Sequence, residues 1–185
     1  MSPVRQSMMK VLNRLLCMKP PNDYISIRQM PLDPIDYRIL DLLQRDARTT
    51  QVQIAQAVGL SQPSVADRIR KLDGSGAVLG YVARLDPRAL GNDIVAFIGV
   101  RIAHPRHHDA FCKRILQIPE VLECHRVAGL DSYVLKAVAR DTQSLDDLIS
   151  NTIRRLAGVT RTTTTIVLAS VKETTVVPLQ PLKER

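Results

Sequence analysis

The apolar positions along this chain change period part-way, and the change divides it. From Asp33, a suitable helix cap followed by Pro34, the residues Ile35, Ile39, Leu42 and Leu43 recur at helical spacing and predict a helix to Arg45. A second helix is expected to begin near Thr50, to bury Val52, Ala55 and Val58, and to end at Gly59, where a left-handed residue is needed. Ser61 caps a third, with Pro63 in its first turn, and Val65, Ile69 and Leu72 form the buried stripe until Gly74 and Gly76 stop it. Residues 77–85 are β-rich, and the Asp86-Pro87 and Gly91-Asn92 pairs mark 86–93 as a hinge.

Beyond the hinge the pattern alternates between strand and helix. Strands are expected over 94–102, 121–128, 133–139 and 159–171, the middle pair joined through Gly129. Helices are expected over 107–117, burying Phe111, Ile115 and Ile118, and over 144–156, burying Leu145, Leu148, Ile149, Ile153 and Leu156. The order β-α-β-β-α-β is ferredoxin-like: a four-stranded antiparallel sheet with helices on one face. The other face needs cover, which favours dimerisation. The fold class is therefore α+β. A winged helix-turn-helix at 31–85 precedes the hinge, a ferredoxin-like domain fills 94–179, and a tail occupies 180–185. Residues 1–30 read either as a mobile basic arm or as the product of a start codon placed too far upstream, since Pro20-Pro21 would stop a helix and the apolar stretch 11–18 is short for a secretory signal.

The most specific local signal is residues 51–70, QVQIAQAVGLSQPSVADRIR. A helix-turn-helix needs two short helices held steeply by a tight turn, and Gly59 sits where that turn falls. With the stripe inward, Pro63, Ser64, Asp67, Arg70 and Lys71 face outward, with Arg68 at their flank. Ser61, Gln62 and Ser64 at the helix start suit phosphate or base-edge hydrogen bonds, and Arg68, Arg70 and Lys71 suit phosphates or guanine edges. The bland alternative is a bundle with a solvated charged face, diluted by Asp67 and Asp73. The agreement of Gly59, Ser61 and the apolar spacing favours double-stranded DNA. Residues 77–85 would supply the wing, with Arg84 on a phosphate.

Composition adds little by itself. Of the formal charge of +8, four lie in residues 1–30 and only one in 31–90, so the excess is not concentrated on the reading segment. Cys17, Cys112 and Cys124 are odd in number and scattered, which fits a reducing cytoplasm, and no apolar run is long enough to span a membrane. His104, His107 and His108 make an awkward ligand trio because Pro105 intervenes and neighbouring helical residues diverge, so no metal is expected. His125 and Cys124 alternate on a strand and face opposite sides. Cys112 lacks a fixed basic partner. The run Thr162 to Thr165 reflects β propensity, and Arg154 and Arg155 suit a helix C-terminus. No catalytic constellation and no cofactor motif are present.

Four segments, LDPIDYRILDLLQRDART at 32–49, VGLSQPSVADRIRKLDGSGAVLGYVARLDP at 58–87, RVAGLDSYVLKAVA at 126–139 and VTRTTTTIVLASVKETTVVPL at 159–179, together resemble the Lrp/AsnC (feast/famine) family. The resemblance implies a transcriptional regulator, not an enzyme: a winged helix-turn-helix hinged to an effector domain, assembled as homodimers and higher homo-oligomers, with an amino acid or related small molecule bound between dimers. The family's sensor pattern, Gly-x-x-Asp-Tyr-x-Leu, is met by Gly129 to Leu135 with Ser132 in place of the usual Asp and Asp131 one residue earlier. On this reading Gly129 exposes N–H groups to a carboxylate, Asp131 pairs with an ammonium, Ser132 and Tyr133 offer hydroxyls, and Arg154 is a further effector candidate. A tight polar β-turn is the bland alternative. Two other functions stay open: an architectural DNA-binding protein without effector, and a tetrapyrrole-decarboxylase-like enzyme using His125 and Arg126.

Overall fold

The computed structural model describes residues 32–179, so the expectations for 1–30 and 180–185 lie outside the described residues. Two compact units divide them. One holds the described residues up to Ala83 together with 172–179, and the other holds Arg84–Val171.

The first unit is built on three helices, α1 (Pro34–Arg45), α2 (Gln51–Val58) and α3 (Gln62–Ser75). Each start is capped as its sequence allows. Asp33 accepts from the Asp36 amide at 2.8 Å while Asp36 returns the bond to the Asp33 amide, and Thr50 with Gln53 repeats this reciprocal arrangement on α2. Gly59 ends α2 with a φ of 72°, a backbone that side chains with a Cβ avoid. The core joins Ile39, Leu43, Ile54, Ala55, Val65 and Leu72. Ile54 takes the place expected of Val52, which is 48% exposed: α2 is short and apolar on more than one side, so packing chose the face. Arg38 donates to the Ala57 carbonyl at 2.8 Å and ties α1 to the end of α2.

Among the described residues the segment expected as a wing pairs with no strand. Residues 77–85 form no strand, and Leu79, Val82 and Leu85 stand exposed. β-rich composition supplies propensity, but a strand exists only with a partner, and none of the described residues pairs with this stretch. Residues 172–179 instead return to α1, where the Val177 amide donates to Gln44 Oε1 at 3.0 Å, and Val176 to Leu179 with Tyr37, Arg38 and Asp41 line a cleft of about 600 Å³.

The second unit contains β1 (Ile94–Ile102), α4 (His108–Ile115), β2 (Val121–Arg126), β3 (Tyr133–Ala139), α5 (Thr142–Asp147) and β4 (Val159–Ile166). After α5 the chain stays helical through a wide turn at Leu148–Thr152 and a tight one at Ile153–Arg155, so the 144–156 helix is irregular in its second half. The sheet order is β2-β3-β1-β4 with every pair antiparallel, the ferredoxin-like arrangement. β4 stops at Ile166, short of the expected 171. Ala96, Ile98, Val100 and Ile102 alternate inward from β1 and pack with Phe111, Ile115, Leu145 and Ile153. The opposite, open face carries Val95, Phe97, Gly99 and Arg101 of β1 beside Val134, Lys136 and Val138 of β3 and Arg161, Thr163 and Thr165 of β4.

Candidate DNA-reading helix and effector face

Two hydroxyls organise the start of α3. Ser61 caps it, its Oγ 3.4 Å from the Ser64 amide and 2.8 Å from the Ser64 hydroxyl, so both hydroxyls already organise the first turn. Ser61, Gln62, Pro63, Ser64, Asp67, Arg70 and Lys71 are all exposed. Arg70 bonds to Asp67, whereas Lys71 makes no ion pair among the described residues.

Arg68 departs from the reading that turned it toward DNA. Its Nη1 lies 2.7 Å from Asp33 Oδ2 and 2.7 Å from Asp36 Oδ1, half-buried between α3 and the start of α1. The guanidinium thus bridges the capping box of α1 to the reading helix, and its neighbours raise its own pKa, the Asp33 hydrogen bond first. Asp33 is held below its usual value, chiefly by the Asp36 amide and further by Arg68, against an opposing effect of burial. Arg68 ties α3 to the start of α1. Helical periodicity alone could not reveal this, because its partners lie 35 and 32 residues away.

The five effector candidates do not converge. Ser132 continues the sheet: its amide donates to the Val100 carbonyl at 2.9 Å, and its Oγ accepts from the Ile102 amide at 3.1 Å. Tyr133 is only 3% exposed and points to the helices, where its hydroxyl hydrogen-bonds with His108 Nδ1 at 2.9 Å and accepts from Cys112 Sγ at 3.4 Å. Burial, and then Cys112, push its pKa well up. Arg154 donates to Thr162 Oγ1 at 2.8 Å, and Thr162 pairs with the inward-facing Val100. Gly129 is exposed at the head of the loop.

Asp131 alone lies over the open face. A Cβ added at Gly99 would meet Asp131 Oδ2 at 2.2 Å, so the carboxylate rests on the bare backbone of the central strand. Gly99 and its neighbour Arg101, whose Nε donates to the Leu130 carbonyl at 2.9 Å, were missed in the sequence. A lone glycine inside the apolar run of β1 was the available signal, since it marks close approach by another group.

The remaining suspects separate. His104 accepts from the Arg106 amide, His107 from Arg106 Nε, and His108 turns to Tyr133. Among the described residues no three His, Cys, Asp or Glu side chains are grouped to hold a metal. His125 pairs with Glu123 at 3.1 Å on the open face, while Arg126 pairs in register with the inward Tyr133. The two do not share a site. Cys124, half-buried, is pushed up to about 12 by burial and then by Cys112, far from a reactive thiolate.

The AsnC-type helix-turn-helix domain matches residues 32–73, and the Lrp/AsnC ligand binding domain matches 95–177. This chain belongs to the Lrp/AsnC family. A proline dehydrogenase transcriptional activator of Rhizobium radiobacter is 36% identical to it over 145 residues, covering 77% of this chain and 93% of that one. The leucine-responsive regulatory protein of Klebsiella pneumoniae is 34% identical, covering 77% and 88%. A transcriptional regulator of Neisseria meningitidis, solved as its L-methionine complex, superposes with a TM-score of 0.78 at 31% identity, covering 82% of this chain and 99% of that one. As a member of the Lrp/AsnC family the chain is a transcriptional regulator and not an enzyme. No helix among the described residues is long and apolar enough to cross a membrane.

Proposed function

We propose that this Lrp/AsnC regulator reads double-stranded DNA with the exposed start of α3 and that an amino acid, bound on the 84–171 unit beside Asp131, sets how well it does so. The observation that carries the first part is the outward row Gln62, Ser64, Arg70 and Lys71 on a helix whose axis is fixed by Gly59 and Arg68. Gln62 and Ser64 suit base edges, and Lys71 suits a phosphate. The Neisseria relative's L-methionine and the Asp131 carboxylate, which lies over Gly99 with no ion pair among the described residues, support the second part. The regulator works in the cytoplasm as a homodimer or higher homo-oligomer, with apolar Val95, Phe97 and Val134 on the open sheet face as the surface that assembly covers. Two reading heads then have to match operator half-sites, which is how assembly and DNA affinity become linked.

Selection of binding sites from random duplexes, followed by gel shifts with and without each common amino acid, tests this. A recovered two-fold site whose binding changes with one amino acid, and is lost in Lys71→Ala combined with Arg70→Ala, is the expected result. Sequence-tolerant binding that no amino acid alters would instead make the protein architectural.

A further inference from the structure

The open sheet face ends in an arrangement that a finished sheet avoids. Arg101 and Arg161 are direct register partners across β1 and β4, and like charges placed opposite each other repel. Elsewhere on this face charge is neutralised, since Glu123 lies 3.4 Å from Lys136 and 3.1 Å from His125. Among the described residues Arg101 uses only its Nε, on the Leu130 carbonyl, which leaves both terminal nitrogens to donate. Arg161 has no hydrogen bond or ion pair among the described residues.

Two residues along the same face, Gly99 stands opposite Thr163, and the half-buried Asp131 carboxylate rests on Gly99. The strand rise puts Gly99 and Arg101 only about 7 Å apart. Even so, no ion pair joins Asp131 to either arginine. Two guanidinium groups and one carboxylate thus edge a single patch without meeting, and the space among them suits an ion that carries both signs.

We infer that this patch selects an amino acid with a second carboxylate. The inference rests on the amino-acid effector reading given above and narrows its class. Asp131 receives the ammonium, Arg101 and Arg161 receive the α-carboxylate and the side-chain carboxylate, and Thr163 adds a hydroxyl. The charge count decides the class. The patch carries two positive charges and one negative, so a zwitterion with a neutral side chain leaves one guanidinium unpaired, while a dicarboxylic amino acid at neutral pH pairs all three. Guanidinium and carboxylate match in bidentate geometry, which makes such pairing strong.

Isothermal titration of the full chain, in the assembly it forms, with L-glutamate and L-aspartate against their near-isosteric amides L-glutamine and L-asparagine isolates the charge. One acid is expected to bind at least about tenfold more tightly than its amide. Arg161→Gln should bring that ratio to about one while leaving the melting temperature of the free protein unchanged or slightly raised, because an exposed like-charge contact has gone. Asp131→Asn should remove binding of acid and amide alike. Equal affinity for acid and amide, or an unchanged ratio in Arg161→Gln, overturns the inference. If a neutral amino acid binds best and still needs Asp131, the effector reading survives and only the class is wrong; if no amino acid binds, both fall. A result in which Arg161→Gln changes only the dissociation of the assembly gives the arginine pair to an interface between copies and also overturns it.

Discussion

The helix-turn-helix unit and the open face of the sheet treat charge in opposite ways. In the first, carboxylates and guanidinium groups find each other: Arg68 with Asp33 and Asp36, Arg45 with Asp41, Arg70 with Asp67. On the second, Arg101, Arg161 and Asp131 stay apart although they share one patch. A reading helix has to hold its direction before DNA arrives, so internal ion pairs that fix it are useful. A sensing surface has to leave something for the ligand to satisfy, because only a difference in interaction between bound and free states shifts an equilibrium. An arginine that looks exposed by sequence pattern can therefore belong to either kind of site, and its partners decide which.

The largest effect that can separate the two units comes from the core of the second. Phe111 is 1% exposed and packs against Tyr133 with ring centroids 4.8 Å apart. Phe111→Ala should cost about 3–5 kcal/mol, removing the transfer energy of the ring and leaving a cavity. Hydrogen exchange should then show the sheet amides losing protection while α1 to α3 keep theirs. Loss of protection in both units together would mean that they unfold as one.

Next in size is the bridge at Arg68. Arg68→Ala leaves two carboxylates without their cation, one of them on the buried Asp36, at a cost of about 1–2 kcal/mol after allowing for solvent at Asp33. DNA affinity should fall with stability and recover on cooling or on adding a stabilising osmolyte. Lys71→Ala should behave differently: the melting temperature holds, and DNA binding weakens about equally on all sequences with a salt slope shallower by about 1. Arg68→Ala that melts like the parent but binds DNA poorly would return Arg68 to the DNA contacts.

What was legible in the sequence follows the same division. Periodicity located α1 to its last residue and β1 and β3 to both ends, because a buried stripe or alternation is a local record of which side is wet. Partnership is not local. Residues 77–85 carry strand composition but pair with no strand among the described residues, and 172–179 reach α1 through Gln44, which lies 133 residues away from Val177. In the effector loop, the Asp131 carboxylate lies over the open face, while the ladder and the Tyr133–His108 hydrogen bond already engage Ser132 and Tyr133, which periodicity could not show. The two arginines that now edge the patch were not singled out, since only register puts Arg101 opposite Arg161.

A smaller perturbation tests whether Gly99 serves Asp131. A Cβ at Gly99 collides with the end of the Asp131 side chain, which can swing away, so Gly99→Ala should cost under about 1 kcal/mol. The displaced carboxylate no longer faces the patch. Effector binding measured by titration should fall at least tenfold while DNA binding without effector is unchanged. An undiminished response would show that Asp131 does not act from that position.

The smallest effect is the pH dependence of the caps, and it reads each unit separately. Asp33 sits below its ordinary value of 3.8, mainly through the Asp36 amide and secondarily through Arg68, and Asp141, which caps α5, is lowered mainly by the Ser144 amide. A carboxyl whose folded pKa is depressed contributes stability that is present above its unfolded value and is lost as pH falls through the folded one. Each cap should therefore weaken its own unit below about pH 4. Asparagine keeps the capping acceptor but neither titrates nor pairs with Arg68, so Asp33→Asn should cost under about 1 kcal/mol at pH 7. The gap between parent and variant melting temperatures for the helix-turn-helix unit should then narrow as pH falls below about 4, and Asp141→Asn should narrow the corresponding gap for the sheet unit alone. Arg68→Ala provides the internal check. Because the Asp36 amide is the larger cause, that variant should retain much of the acid slope at Asp33; a slope abolished by Arg68→Ala would make the ion pair, and not the cap, the source of the acid sensitivity.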